Sequence, residues 1–389
     1  MPHTFTAPVR LLDLMRQADG SGYINLAAGV MGPDSLPVNA LNTAFTKAYE
    51  HSQTSLYTYQ HPEGDHRLRA LLAKRLQNRG VHNLTQNQIV TTTGCTQGLS
   101  ALLSVILQPG DIVACEAPAY YGMLELLAKH KARVLPLAVR DTNGICIETT
   151  EASLRQHRPK CLVICPTLSN PSGATLSNES REHLVRLCQE LQIRIIEDDI
   201  YGELLESSPV KPLLSWDPSG QTVSYVTSYS KSIAPGLRCG FCVPGSLHEA
   251  FASEKCQQDL HSAVITEAML REFLDANEFD PHLTWLRARN QKRRALALQT
   301  LRESFPTTCN IWEPQGGYMI WVQLPQQICL QTLQADAKNA GVVFVSGHAF
   351  FTQSPSSPCI RISCGKESEE KIVKGIQTLG PLIAHQLKG

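Results

Sequence analysis

Between about residues 66 and 320, short apolar runs alternate with segments of helical periodicity. This alternation limits the fold more than any other feature of the chain. The apolar runs cover 88–92, 111–116, 133–137, 161–165, 194–197, 223–227 and 239–243. Each has the length of a buried strand, and most are rich in Val and Ile. Helix-like stretches such as 97–107, 122–130 and 178–191 lie between them. Strands that alternate with helices predict a largely parallel sheet, here of seven strands, covered on both faces.

The rest of the chain follows a different pattern. Residues 1–45 read as a short helix near 9–17 and then loop rich in Gly and Pro. A long helical region at 283–303 leads into strands at 318–323, 341–345 and 360–364, and a helix at 368–385 closes the chain. A chain of 389 residues is long enough for two domains. We expect an α/β protein with an N-terminal arm that is part of the small domain (1–45), a large domain (46–280) and a smaller α+β domain (281–389). Lys plus Arg equals Asp plus Glu, at 35 each, so nothing in the charge points to nucleic acid or a membrane surface, and self-association is permitted. The 13 cysteines are odd in number and several sit in apolar runs, as buried reduced thiols do. The N-terminus lacks the apolar core of a signal peptide, and no run approaches the roughly 18 apolar residues of a membrane span. The expected location is the cytoplasm.

Five segments carry chemistry. In Thr227-Ser228-Tyr229-Ser230-Lys231, a lysine follows a strand among hydroxyls, and Arg238 comes seven residues on, after a Pro-Gly turn. Desolvation and nearby cations make such a lysine easily neutral, as a Schiff-base lysine must be, and the hydroxyls and guanidinium suit a phosphate ester. The plain alternative is a surface lysine in a serine-rich loop. In Ile195-Ile196-Glu197-Asp198-Asp199-Ile200-Tyr201, acids stand at the C-terminal edge of a buried strand, where open α/β sheets bind ligands. A carboxylate there can keep a pyridine nitrogen protonated, and Tyr201 can reach a ring oxygen; an acid-decorated helix start is the simpler reading. Asn170-Pro171-Ser172-Gly173 is first a turn, yet its Asn can donate to a phenolate oxygen. Thr93-Gly94-Cys95-Thr96 passes from strand through Gly into helix and leaves backbone N–H groups for an anion. Tyr120, just past a strand edge, can stack on a flat ring or simply pack.

Together and in this order, these segments resemble the fold-type-I class I/II aminotransferases, which depend on pyridoxal 5'-phosphate (PLP). The matching strings are 59–64, 94–98, 116–120, 170–173, 198–201, 228–240 and Ile360-Arg361-Ile362-Ser363, and the resemblance spans about 24–385. Residues 26–37 look like the 2-aminoadipate/kynurenine branch, whose catalytic domain also occurs in GntR-type (MocR-like) regulators. With about 23 residues before the first match, no winged helix is expected here. The resemblance implies Lys231 as Schiff-base lysine and proton carrier, Asp198 at the pyridine nitrogen, Tyr201 and Asn170 at the ring oxygen, and Tyr120 stacked on the ring. It implies a phosphate held by the Cys95 and Thr96 backbone beside Gly94, with Ser228, Ser230 and Arg238. It implies Arg361, the only Arg in the C-terminal 80 residues, as the clamp on the substrate α-carboxylate, with Gly29 and Asn170 nearby. It also implies a homodimer in which Tyr59 reaches the neighbouring subunit's phosphate. Cys95 and Thr96 depart from the Ser/Ala-Gln pair more usual in this branch.

Two features distract. Cys239 and Cys242 form a C-x-x-C, but residues three apart on a strand point to opposite faces, so no metal or redox role is expected. His61 and His66 lie near Tyr59 and read as loop histidines that can face a partner's site. The expected reaction is transfer of an amino group from an α-amino acid to a 2-oxo acid. Elimination, replacement, decarboxylation or annulation on the same scaffold is the alternative, and a non-catalytic effector-binding module a third reading. For an acidic substrate side chain, Arg10 and Arg16 are the candidate cations.

Overall fold

The computed structural model describes residues 1–7, 9, 11–18, 22–206 and 210–388. Its helices are α1 (Leu11–Ala18), α2 (Val38–Ser52), α3 (His66–Asn78), α4 (Cys95–Ile106), α5 (Tyr121–Lys129) and α6 (Ile147–His157). They continue with α7 (Asn178–Leu191), α8 (His248–Asp259), α9 (Val264–Asp275), α10 (Phe279–Ser304), α11 (Leu330–Asn339) and α12 (Glu369–Gln386). The strands begin with β1 (Ile24–Asn25), β2 (Val90–Thr92), β3 (Ile112–Ala117), β4 (Arg133–Asp141), β5 (Gly144–Ile145), β6 (Cys161–Ile164) and β7 (Arg194–Asp198). They end with β8 (Val223–Ser228), β9 (Gly240–Val243), β10 (Asn310–Ile311), β11 (Met319–Gln323), β12 (Val342–Val343), β13 (Val345–Ser346) and β14 (Cys359–Ser363).

The main sheet has the order β2-β9-β8-β7-β6-β3-β4-β5. The pairs β4·β3, β3·β6, β6·β7 and β7·β8 are parallel, and β9 is antiparallel to both of its neighbours. All seven expected strands are in it. The eighth, β5, is a two-residue return from β4, too short to leave an apolar run. Its turn is Thr142-Asn143, followed by Gly144 at φ +93°, with a bulge in the register between Val139 and Asp141, the positive-φ glycine and bulge that close short hairpins of this kind.

Side chains alternate across this sheet and build two cores. Ile195 of β7 joins Leu162, Ala114 and the α7 residues Leu184 and Leu191 on one face. Its neighbour Ile196 joins Val163, Val113 and the apolar side chains of α4 and α5 on the other. The C-x-x-C divides the same way: Cys239 lies in the first core and Cys242 in the second, and both thiols are free.

A second, antiparallel sheet has the order β10-β11-β14-β13. The run at 341–345, expected as one strand, is two. β12 pairs in parallel with β1 of the N-terminal arm, and β13 pairs with β14. The chain changes partners at Phe344, and that short strand pair ties the arm to the C-terminal part of the molecule.

Under the strand ends, a buried cation joins the loops. The Arg181 side chain is fully buried and donates to the carbonyls of Pro166 (2.6 Å) and Leu176 (2.9 Å) and to Thr167 Oγ1 (2.8 Å). It stands 3.9 Å from Glu197, which accepts from the N–H groups of Leu213 and Leu214. Arg181→Met strands a buried carboxylate and two carbonyls. We expect a loss of about 3–5 kcal/mol, the usual effect of breaking a buried pair from one side, read as a lower urea midpoint; an unchanged midpoint contradicts this account.

Candidate active site

The parallel strands end at one level, and a cavity of about 1390 Å³ opens over their C-terminal edge. Asp198 comes from the end of β7, Ser228 from the end of β8, Asn170 from the loop after β6 and Tyr120 from the turn between β3 and α5. Cys95 and Thr96 enter at the start of α4, and Lys231, Ser230 and Arg238 on the turn between β8 and β9. The sheet thus gathers residues more than 140 positions apart at the edge where such sheets bind ligands.

One end of the cavity is built for an anion. The N-cap of α4 is Gly94, at φ +83°, so no side chain caps the helix. The N–H groups of Cys95, Thr96 and Gln97 meet no acceptor among the described residues. A Cβ on Gly94 would overlap the guanidinium of Arg238, so glycine is required on both counts. Arg238 donates to Ser230 Oγ (3.2 Å) and to the Thr93 carbonyl (3.1 Å), and no carboxylate pairs with it among the described residues. Open N–H groups, two serines and a cation without a carboxylate partner among the described residues could hold a phosphate.

The other end holds a carboxylate. Asp198 is 8 % exposed and accepts from Cys95 Sγ (3.1 Å) and the Ile200 N–H (3.3 Å), both on Oδ1. Burial lifts its carboxyl to about 6, so a cationic partner in the cavity would hold it ionised. Asp199 points to the opposite face of the sheet. There it pairs with Arg79 (2.6 Å) and accepts from the Tyr225 hydroxyl (2.8 Å). Strand alternation therefore selects the first acid of the pair.

Between the two ends lies Lys231. Its Nζ donates to the carbonyl of Gly29 (2.7 Å), which also accepts from the Tyr318 hydroxyl (3.2 Å). Burial first, then the Arg361 and Arg238 cations, pulls the amine down to about 8, against a weaker opposing pull from Asp198. Arg361 is fully buried and has no ion pair among the described residues. Its Nη1 donates to Asn170 Oδ1 (2.9 Å), its Nη2 to the Ala27 carbonyl, and its Nε has no partner. The ring of Phe350 lies 5.3 Å from the guanidinium. The bond to Arg361 orients the Asn170 amide so that its Nδ2 remains a free donor. A Cβ on Gly29 would sit 3.5 and 3.6 Å from the Arg361 nitrogens, in ordinary contact with the guanidinium.

The wall includes every residue expected there from sequence except three. Gly94 and Arg361 are not part of it, though Gly94 adjoins Cys95 and Arg361 bonds to the wall residues Asn170 and Ala27. Tyr59 lies away from it, 83 % exposed, with its ring edge-on to His261. His61 and His66 are also exposed and outside it. Arg16 lines the mouth with Lys338, and Arg10 falls outside the described residues. Among the described residues, no cluster of metal-ligating groups occurs. Sequence reasoning missed Tyr318, which shares the Gly29 carbonyl, and Glu116. Burial lifts Glu116 to about 8, and its Oε2 accepts from the Cys165 N–H (2.9 Å) and Ser169 Oγ (3.2 Å) under the Asn170 loop. Its place at a strand end was the available signal.

These residues fit PLP: a phosphate seat, a buried acid for a ring nitrogen, amide and phenol donors for a ring oxygen, an aromatic beside the ring, and an easily neutral amine. The amine gives a test that needs no cofactor. Since the neutral form reacts and the Lys231 midpoint lies near 8 rather than 10.5, a small acylating reagent at pH 8 labels the Lys231 peptide ahead of exposed lysines. The Asp198 anion favours the ammonium, so Asp198→Asn moves the midpoint lower still. A midpoint near the ordinary lysine value contradicts this electrostatic picture.

Residues 21–379 match the family described as aminotransferase class I and II. The chain is 28 % identical, over 97 % of its length and 91 % of the relative's, to an aromatic-amino-acid aminotransferase of Thermococcus litoralis. It is 27 % identical, over 96 % of its length and 79 % of the relative's, to an uncharacterized HTH-type transcriptional regulator of Escherichia coli. Among solved structures, kynurenine aminotransferase of Pyrococcus horikoshii, in complex with PMP, superposes with a TM-score of 0.92 at 29 % identity, covering 97 % of this chain and 95 % of that one. The chain belongs to the class I and II aminotransferase family, and its cofactor is pyridoxal 5'-phosphate.

Proposed function

We propose that the protein moves the amino group of an α-amino acid to a 2-oxo acid, and that Arg361 grips the α-carboxylate of both substrates. The observation that carries this reading is a fully buried guanidinium with no ion pair, an orphaned Nε, and a backbone carbonyl on Nη2 where a carboxylate oxygen would go. A buried unpaired cation is costly unless a ligand anion answers it. Arg361 is also close enough to Lys231 to depress its amine. One grip therefore sets a substrate Cα beside the group that moves its proton.

The remaining roles follow from position. The open N–H groups of α4, with Ser228, Ser230 and Arg238, seat the phosphate, and Asp198 keeps the ring nitrogen protonated. Tyr201 and the Asn170 Nδ2 face the ring oxygen, and Tyr120 backs the ring. When bound, PLP supplies an electron sink for the pair left at Cα. Lys231 Nζ takes that proton and returns it.

A panel of amino acids mixed with holoenzyme tests the reading. It should include aromatic amino acids and kynurenine, on which relatives are named as acting. We expect absorbance to report conversion of the cofactor to its amine form with a donor, and recovery with a 2-oxo acid such as 2-oxoglutarate. Arg361→Lys keeps the charge and loses the planar fork, so both half-reactions should fall together by 100-fold or so. Stoichiometric release of ammonia, carbon dioxide or a side-chain fragment, with no amine form at any stage, rejects transamination for a lyase or replacement reaction. Binding without turnover for every member favours an effector-binding module.

We further propose a homodimer in the cytoplasm. Phe45, Tyr49, Tyr57, Tyr59 and Leu260 are all exposed, on α2, the turn after it and the end of α8. Exposed aromatics gathered in this way suit burial against a second copy. Tyr59 would then reach the other subunit's phosphate. All thirteen cysteines are unpaired, as in a reducing compartment, and no helix among the described residues is long and apolar enough to cross a membrane. The protein should sediment as a dimer, and Tyr59→Phe should weaken cofactor retention without changing the melting temperature. A fully active monomer contradicts this arrangement.

A further inference from the structure

An ordinary N-cap side chain folds over the first N–H groups of its helix. Glycine at 94 leaves those of α4 open, and the helix start is held from outside the cavity. Thr93 is the hub, and each of its polar groups is used. Its N–H donates to Gln97 Oε1 (2.7 Å), its Oγ1 donates to Asp259 Oδ2 (3.1 Å), and its carbonyl accepts from Arg238 Nη2 (3.1 Å). Asp259 Oδ2 also accepts from Gln97 Nε2 (2.8 Å), which fixes which way the Gln97 amide faces. Asp259, the last residue of α8, is paired through Oδ1 with Lys255 Nζ at 3.0 Å, and the Lys255 side chain is fully buried. None of Thr93, Gln97, Lys255 or Asp259 lines the cavity.

We propose that Asp259 is a positioning residue for the cofactor's phosphate, acting through Thr93 and Gln97. It does two things. By holding the Gln97 amide, it keeps that side chain's oxygen off the open N–H groups of its own helix, where a freed Gln would cap the helix and compete with a phosphate. By holding Thr93, it fixes the carbonyl that anchors Arg238. Its charge makes both bonds of the stronger, charge-assisted kind, and the buried ammonium of Lys255 keeps that charge in place. This inference rests on reading the α4 start as the phosphate seat.

The test compares binding of PLP and of pyridoxal, which lacks the phosphate, to the cofactor-free protein. Thr93→Val removes the hydroxyl at nearly constant volume, and Thr93→Ser keeps it. Asp259→Asn combined with Lys255→Met removes the pair without stranding a buried charge. We expect Thr93→Val and the double variant to raise Kd for PLP about tenfold, the usual effect of losing a hydrogen bond to a charged group. Pyridoxal should bind as in the wild type, and Thr93→Ser should behave as the wild type with both. Equal losses for the two ligands, or no loss for PLP, overturn the proposal. Arg238→Met separates the two levels of the argument. If it weakens PLP selectively while Thr93→Val does not, the role of Asp259 fails alone. If it too spares the preference for PLP over pyridoxal, the phosphate seat lies elsewhere and both readings fail.

Discussion

The common level at which the parallel strands end is the constraint on which the site depends. Parallel pairing of β3, β4, β6, β7 and β8 puts their C-terminal ends along one edge. Four of them deliver residues at or after their ends to the same cavity floor: Tyr120 after β3, Asn170 after β6, Asp198 from β7 and Ser228 from β8. A one-residue slip in β7 would turn Asp198 away and bring Asp199 forward, because side chains alternate with period two. The Arg79–Asp199–Tyr225 cluster opposes that slip, since it would bring a paired carboxylate into the cavity and strand a cation behind it.

Electrostatics adds a second layer. Lys231 and Arg238 in the cavity wall, with Arg361 bonded to it, outnumber the one acid that lines it among the described residues, Asp198, which is itself lifted by burial. The surplus of positive charge suits a doubly anionic load, a phosphate at one end and a carboxylate at the other. It also explains why a lysine among these cations approaches neutrality. Desolvation and the neighbouring guanidinium groups act in the same direction, and Asp198 offsets them only in part.

Much of this was legible in the residues because each local rule agreed with the fold. Most of the short Val- and Ile-rich runs became strands within a residue or two of their expected ends, β4 alone among those of the main sheet running four residues past 137, and 178–191 is a helix over that span. Glycine at 94 and the hydroxyls around Lys231 announced an anion site from their chemistry. Other features have no one-dimensional trace. β5 is two residues long, and the division of 341–345 between two sheets depends on partners more than 300 residues away for β12 and nearby for β13. Tyr318 carries no motif, and Glu116 opens a matched string without any role attached to it, so their parts follow only from what packs against them.

The sequence by itself determined the family and the cofactor, because those rest on residue types in a fixed order along strand ends. The resemblance already named Asp198; the tertiary structure added why its neighbour does not compete, since Asp199 stands at the same strand end but is paired on the opposite face of the sheet. Only the tertiary structure showed that Arg361, which the resemblance had named, is buried without a counter-ion among the described residues, whereas Arg79, Arg293 and Arg294 are paired. Only it joined Asp259 to Thr93, 166 residues apart. The reason is the same each time. Periodicity and composition report which groups are present and which lie inside, whereas pairing, orientation and charge balance are set by neighbours that the chain brings together from far away.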